Sequence, residues 1–202
     1  MQQPPRHLVA ILLLAILASP GVQAQAKIRT LPSPALQIRA AVAPLPLDMR
    51  DSATVLGYRT RDKLEVLRQG TNGMTCIAIF ALETDFHVAC YQSTLEPFMA
   101  RGRELRAQGV KGEEVDSIRA REIRSGKLAM PSSAIMYQLF GGEESFDSLT
   151  GTVSHTSTLL IIYMPFATGR TTGLSEHPND YGPWLMYAGS YKAHMMLMGE
   201  MK

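Results

Sequence analysis

The chain lacks the short motifs that name a chemistry outright. Its 202 residues contain no G-x-S-x-G turn, no H-E-x-x-H, no phosphate-binding glycine loop and no C-x-x-C pair, so no hydrolase, metalloprotease, nucleotide-binding or redox activity is legible as a motif. Charge of one sign is also missing. With 20 Lys and Arg against 18 Asp and Glu the formal net charge is +2, which gives no support to binding of nucleic acid or of an anionic membrane. Long apolar runs are absent as well: after residues 8–18 nothing approaches the roughly 20 apolar residues of a membrane span. Cysteine is scarce, with Cys76 and Cys90 the two present, and Trp184 is the single tryptophan.

The apolar run that is present sits near the N-terminus and reads as a secretory signal. Arg6 and His7 precede it, Ser19-Pro20-Gly21 ends it, and Val22-Gln23-Ala24 places small residues at the spacing that signal peptidase accepts. Residues 1–24 are therefore expected to be a signal peptide, and the mature protein to be secreted or periplasmic. No cysteine follows the cleavage site to take a lipid. Residues 25–50 contain Pro32, Pro34, Pro44 and Pro46 around a short apolar piece, which predicts a proline-rich linker with a possible short helix. Residues 51–202 are enough for a single globular domain.

Within that domain the hydrophobic period is 2 at both ends and 3.6 in the middle. Strands are predicted over 54–58, 64–68, 74–80, 86–91, 134–140, 158–164, 184–188 and 193–198. Leu95, Phe98, Met99, Gly102 and Leu105 share one helical face; Thr94 is the expected N-cap, which leaves Pro97 where no N–H is needed. A second helix is expected over 113–124, with acids in its first turn, arginines in its last and Gly126 as a stop. The eight basic residues from Arg101 to Lys127 are interleaved with Glu104, Glu113, Glu114, Asp116 and Glu122 and with no aromatic, which reads as a solvated face. The class is α+β: a mainly antiparallel sheet with two central helices packed on one face.

The cysteines have a predicted partner in each other. If residues 81–85 form a hairpin loop and Phe80 pairs with Phe86, then Ala78 faces Val88 and Cys76 faces Cys90. A cross-strand disulfide follows in an oxidising compartment. Gly70-Thr71-Asn72-Gly73, between the second and third strands, has the Asn-Gly of a type I′ turn and predicts a tight hairpin.

Candidate functional residues concentrate between His177 and Met198. His194 starts an apolar strand in which Met196 and Met198 share its face, so the imidazole is either packed and satisfied or looks into a pocket. Its polar partner is expected from residues 70–76 or from the 177–181 loop. His177 and Asp180 sit in a His-Pro-Asn-Asp segment that also suits a plain turn. Trp184 and Tyr187 are candidates to line a pocket with Asn72. Met195, Met196, Met198 and Met201 with His194 are soft ligands of the kind that suit Cu(I), although strand alternation sends Met195 to the other face. No cofactor and no dedicated metal site are expected.

Two segments together resemble an uncharacterised family of exported bacterial proteins: Arg68-Gln69-Gly70-Thr71-Asn72-Gly73-Met74-Thr75-Cys76, and Gly182-Pro183-Trp184-Leu185-Met186-Tyr187-Ala188-Gly189-Ser190-Tyr191-Lys192-Ala193-His194-Met195-Met196. The resemblance spans about residues 55–196. Met74 departs from it, since the family tends to carry tryptophan there. It implies that the two segments belong together and supplies no mechanism.

Two functional classes follow. The first is an exported disulfide-containing domain that binds a small molecule or an exported protein without catalysis, through Asn72, His177, Trp184, Tyr187 and His194. The second is a secreted hydrolase-like enzyme with His194 as general base, oriented by Asp180 or Asn72. A concave pocket at His194 is common to both; the company His194 keeps there separates them.

Overall fold

The computed structural model describes residues 30–83, 85–179 and 182–199; the expected signal peptide lies outside them. Helix α1 (Pro34–Ala41) opens the described chain, with Pro34 in its first turn and the Ser33 hydroxyl accepting the Leu36 N–H at 3.4 Å. The short α2 (Leu47–Arg50) follows. The stretch expected as a linker thus holds the brief helix, and it is packed rather than extended: Ala40, Ala41, Val42 and Leu45 are all in the core. The apolar residues between the prolines carry that packing. Gln37 fixes α1 to the sheet, its amide N–H groups donating to Pro32 O and Tyr58 O and its oxygen accepting the Tyr58 N–H.

The strands are β1 (Thr54–Thr60), β2 (Lys63–Arg68), β3 (Met74–Ile77), β4 (Phe86–Gln92), β5 (Ala134–Gly141), β6 (Ser157–Tyr163), β7 (Trp184–Met186) and β8 (His194–Gly199). They form one sheet in the order β2-β1-β3-β4-β5-β6-β8-β7. Every neighbouring pair is antiparallel except β1 with β3. Between β4 and β5 lie α3 (Glu96–Ala107) and α4 (Gly112–Arg124), and α5 (Gly169–Thr172) sits in the long loop after β6. The described residues are therefore of mixed α and β content, with a mostly antiparallel eight-stranded sheet and five helices. Among the described residues no helix is long and apolar enough to cross a membrane.

Cys76 lies opposite Cys90 in the β3–β4 register, and the two are bonded (S–S 2.05 Å). The strand leading to them is shorter than its apolar pattern predicts. It stops at Ile77, and Ile79–Ala81 turns as a 3-10 helix, so Phe80 packs on Phe86 and Phe146 through its ring instead of pairing in the ladder. The start of α3 also differs from expectation. Ser93–Leu95 is a 3-10 turn and α3 begins at Glu96 with no side-chain cap, so Thr94 does not cap it; the Ser93 hydroxyl bonds the Thr75 hydroxyl.

The glycine-rich tetrapeptide is not a hairpin turn. β1 lies between β2 and β3, so residues 70–73 carry the chain across the start of β1, where the N–H groups of Thr71 and Asn72 both donate to Ser52 O. A turn motif encodes a reversal of direction but not which strand lies alongside next. Gly70 is required by proximity: a Cβ there would sit 2.2–2.4 Å from backbone atoms of Ser52, Ala53 and Thr54. Gly73 is different, with φ +73° but open space around it. Gly70→Ala is therefore expected to destabilise by about 3 kcal/mol, and Gly73→Ala by about 1 kcal/mol. Urea unfolding of the two variants checks the order, and equal losses would contradict the crossover packing.

Candidate functional site

Strand register builds the site. Tyr91 of β4 pairs with Met136 of β5, Met136 with Ile161 of β6, and Ile161 with Met196 of β8. Two residues along, Ala134 pairs with Tyr163 and Tyr163 with His194. Directly opposed residues share a face, so Tyr91, Met136, Ile161, Tyr163, Met196 and His194 stand on one side of the sheet. The other side holds Val55, Cys76, Val88 and Cys90 in a separate core with α1.

The first side is incompletely filled. Phe98 of α3 drops into it, 6.1 Å from the rings of both Tyr163 and Tyr191, and a cleft of about 520 Å³ remains along the strands beside it. Its floor is largely apolar, including Ile77, Ala89 and Met136, with His87 Nε2 donating to Gln138 Oε1 at 2.8 Å. At one margin Arg103 and Tyr91 both bond Glu96, so those polar groups are matched among themselves.

The opposite end is where polar groups are left over. Arg119 of α4 is 7% exposed; its Nη2 donates to Asp116 at 2.7 Å and its guanidinium lies 4.0 Å from the centre of the Phe98 ring. Lys192 also donates to Asp116, at 2.5 Å, and its ammonium lies 3.9 Å from the centre of the Tyr187 ring. Burial opposes ionisation of Asp116, but the hydrogen bonds from Lys192 and Arg119 outweigh it and hold its carboxyl below the usual range. Two cations thus share one anion. Arg119 Nε is buried with no partner among the described residues, a vacancy worth about 1–3 kcal/mol.

His194 stands beside this group. It is 8% exposed, with its ring 5.2 Å from Tyr163 and 5.7 Å from Tyr187. Its Nδ1 is 2.7 Å from Lys192 O, and a carbonyl only accepts, so Nδ1 carries the proton and Nε2 presents a lone pair. Its partner is thus a neighbour in its own segment, not residues 70–76. Burial pushes the imidazole pKa down and the Lys192 charge adds to this, against the opposing Lys192 carbonyl, which favours the neutral ring. Tyr187 holds a left-handed backbone (φ 54°), uncommon for an aromatic residue, and Ser190 pins it by donating both N–H and O–H to Tyr187 O.

Of the residues expected at a site, His194 and Tyr187 meet in this cleft. Asn72 does not: its side chain donates to Met49 O and accepts the Met74 N–H, and β3 is four strand steps from β8, about 19 Å. His177 is exposed in a turn closed by Ser175, and Trp184 lines a separate groove with Pro178 and Met198. Asp180 and Tyr181 lie outside the described residues. Met195, paired with Ile162, faces away from Met196 and Met198 as alternation requires, and Met201 lies outside the described residues. Among the described residues no group of three or more His, Cys, Asp or Glu is placed to hold a metal ion.

Asp116, Arg119, Tyr163 and Lys192 were not legible as site residues. The Asp-x-x-Arg spacing that puts Asp116 and Arg119 on one face of α4 is present, but it is camouflaged by the alternating charges of a helix read as solvated throughout. Comparison with family models, curated proteins and solved structures returns no match.

The neutral imidazole has a stability consequence. Because the folded pKa lies below the unfolded value of about 6.5, the unfolded chain takes up a proton first as pH falls. His194 therefore contributes stability that is present above that pH and is lost as pH drops toward the folded pKa. NMR titration is expected to show His194 neutral at pH 6.5, and His194→Gln to shrink the fall in Tm between pH 7.5 and 5.5. An imidazole already charged at pH 6.5 would contradict the assignment.

Proposed function

We propose that this is an exported domain that binds a small molecule in the cleft beside α3 and α4 and does not transform it. In this reading the two central helices pack on one face of the sheet and serve as the outer wall of the cleft. The observation that carries it is the recessed aromatic cavity of about 520 Å³ whose inner end holds a neutral, half-satisfied His194 and a half-satisfied Arg119. A concave site of that size suits a small molecule better than the surface of a macromolecule. The Cys76–Cys90 bond supports a secreted or periplasmic location, and the resemblance to exported bacterial proteins agrees with it.

The general-base reading draws on the same His194 Nε2 lone pair. Against it, the group orienting the ring is a backbone carbonyl, the Asp116 carboxylate is already shared by two cations, and among the described residues no serine, threonine or cysteine lines the cleft. Binding without chemistry needs none of these groups.

NMR of the mature protein with a mixture of small aromatic and aliphatic fragments tests the choice. Saturable binding that moves the resonances of Tyr163, Tyr187 and His194 and returns every fragment unchanged is expected. Conversion of a fragment, lost in His194→Ala, would establish the enzyme instead. Binding confined to other surfaces would overturn both.

A further inference from the structure

The polarity of the cleft's inner end specifies more than a small molecule. Resting on the reading above, we propose that the ligand is a hydroxylated aromatic carboxylate, its carboxylate toward Arg119 and Lys192 and its hydroxyl on His194 Nε2. The charge at this end is unbalanced: Arg119, itself 7% exposed, and Lys192 share the single carboxylate of Asp116, so one positive charge is uncompensated. An anion restores the balance. Arg119 itself lines the cleft with its hydrogen bonds incomplete: Nη2 donates to Asp116, Nη1 reaches only the Phe98 carbonyl at 3.4 Å, and the buried Nε has no partner among the described residues.

His194 demands the opposite. With Nδ1 committed to Lys192 O and the ring neutral, Nε2 is an acceptor, and a second carboxylate against its lone pair would be repelled. The matching ligand group is a donor that carries no charge, a hydroxyl. Between the two polar points the wall is aromatic: Arg119 lies 4.0 Å from the Phe98 ring, Phe98 6.1 Å from Tyr163, and Tyr163 5.2 Å from His194. A flat ring with its acid and hydroxyl at opposite ends spans such a wall and stacks on it. An alkyl acid would meet the cations but leave His194 unmatched.

The test uses calorimetric titration of the mature protein with 4-hydroxycinnamate, and with two analogues that each remove one feature. The amide 4-hydroxycinnamamide removes the charge, and 4-methoxycinnamate removes the donor. Each is expected to bind at least 10-fold more weakly than the hydroxy acid. Lys192→Met should weaken the acid at least 5-fold and leave the amide unchanged, while His194→Phe should erase the preference for hydroxy over methoxy. The analogue series needs no variant to fold, so it decides the matter if either substitution disturbs the structure. If the amide binds as tightly as the acid, or neutral fragments occupy the cleft while 4-hydroxycinnamate does not, the ligand class is wrong and the binding role stands. If no fragment and no acid enters the cleft, both fall.

Discussion

A guanidinium buried beneath an aromatic ring has to be paired, and in this protein the pairing of Arg119 organises one whole side of the sheet. Arg119 reaches Asp116 on its own helix, and Asp116 reaches Lys192 in the segment leading into β8. Tyr191 adds a hydrogen bond to Asp116 O at 3.0 Å. The stacking of Arg119 on Phe98 joins α4 to α3, and the ion pair with Lys192 joins α4 to the C-terminal strand. Removing Asp116 would leave the Arg119 charge, 7% exposed, without its carboxylate. The same need for pairing leaves its mark on function, because Asp116 cannot satisfy both cations and all of their donors at once.

The sheet's two faces have been treated differently by the sequence. One is closed by small and compact residues, Ala40, Ala41, Val55, Val88 and the disulfide, all of them buried in one cluster. The other carries Tyr91, Phe98, Tyr163 and Tyr191, rings that stand apart at edge-to-face distances and hold a gap between them. Into that gap come the polar ends of His194 and Arg119. A core built only for stability would have no reason to bury either group half satisfied.

Much of the fold was written locally. Period-2 alternation located each strand to within a few residues, and the pairing of Cys76 with Cys90 followed from hairpin geometry alone. What local pattern could not convey was neighbourhood. The parallel pairing of β1 with β3 depends on a crossover, and the tetrapeptide at residues 70–73 looks the same whether it turns back or crosses over. The site was half legible for a similar reason. His194 stood out because a histidine interrupts an apolar strand, whereas Asp116 and Arg119 differ from their solvated neighbours only in facing Phe98 and Lys192, contacts made across the fold.

The central proposal is that the two cations sharing Asp116 and the Nε2 of His194 are kept short of partners for a ligand. A crystal structure of the protein grown with 4-hydroxycinnamate tests it most directly. The prediction is a ring beside Tyr163 with its carboxylate about 2.7–3.1 Å from a terminal nitrogen of Arg119 or from Lys192 Nζ, and its hydroxyl at similar range from His194 Nε2. A cleft filled instead by the protein's own side chains, with Lys192 Nζ and His194 Nε2 bonded to them, would contradict it.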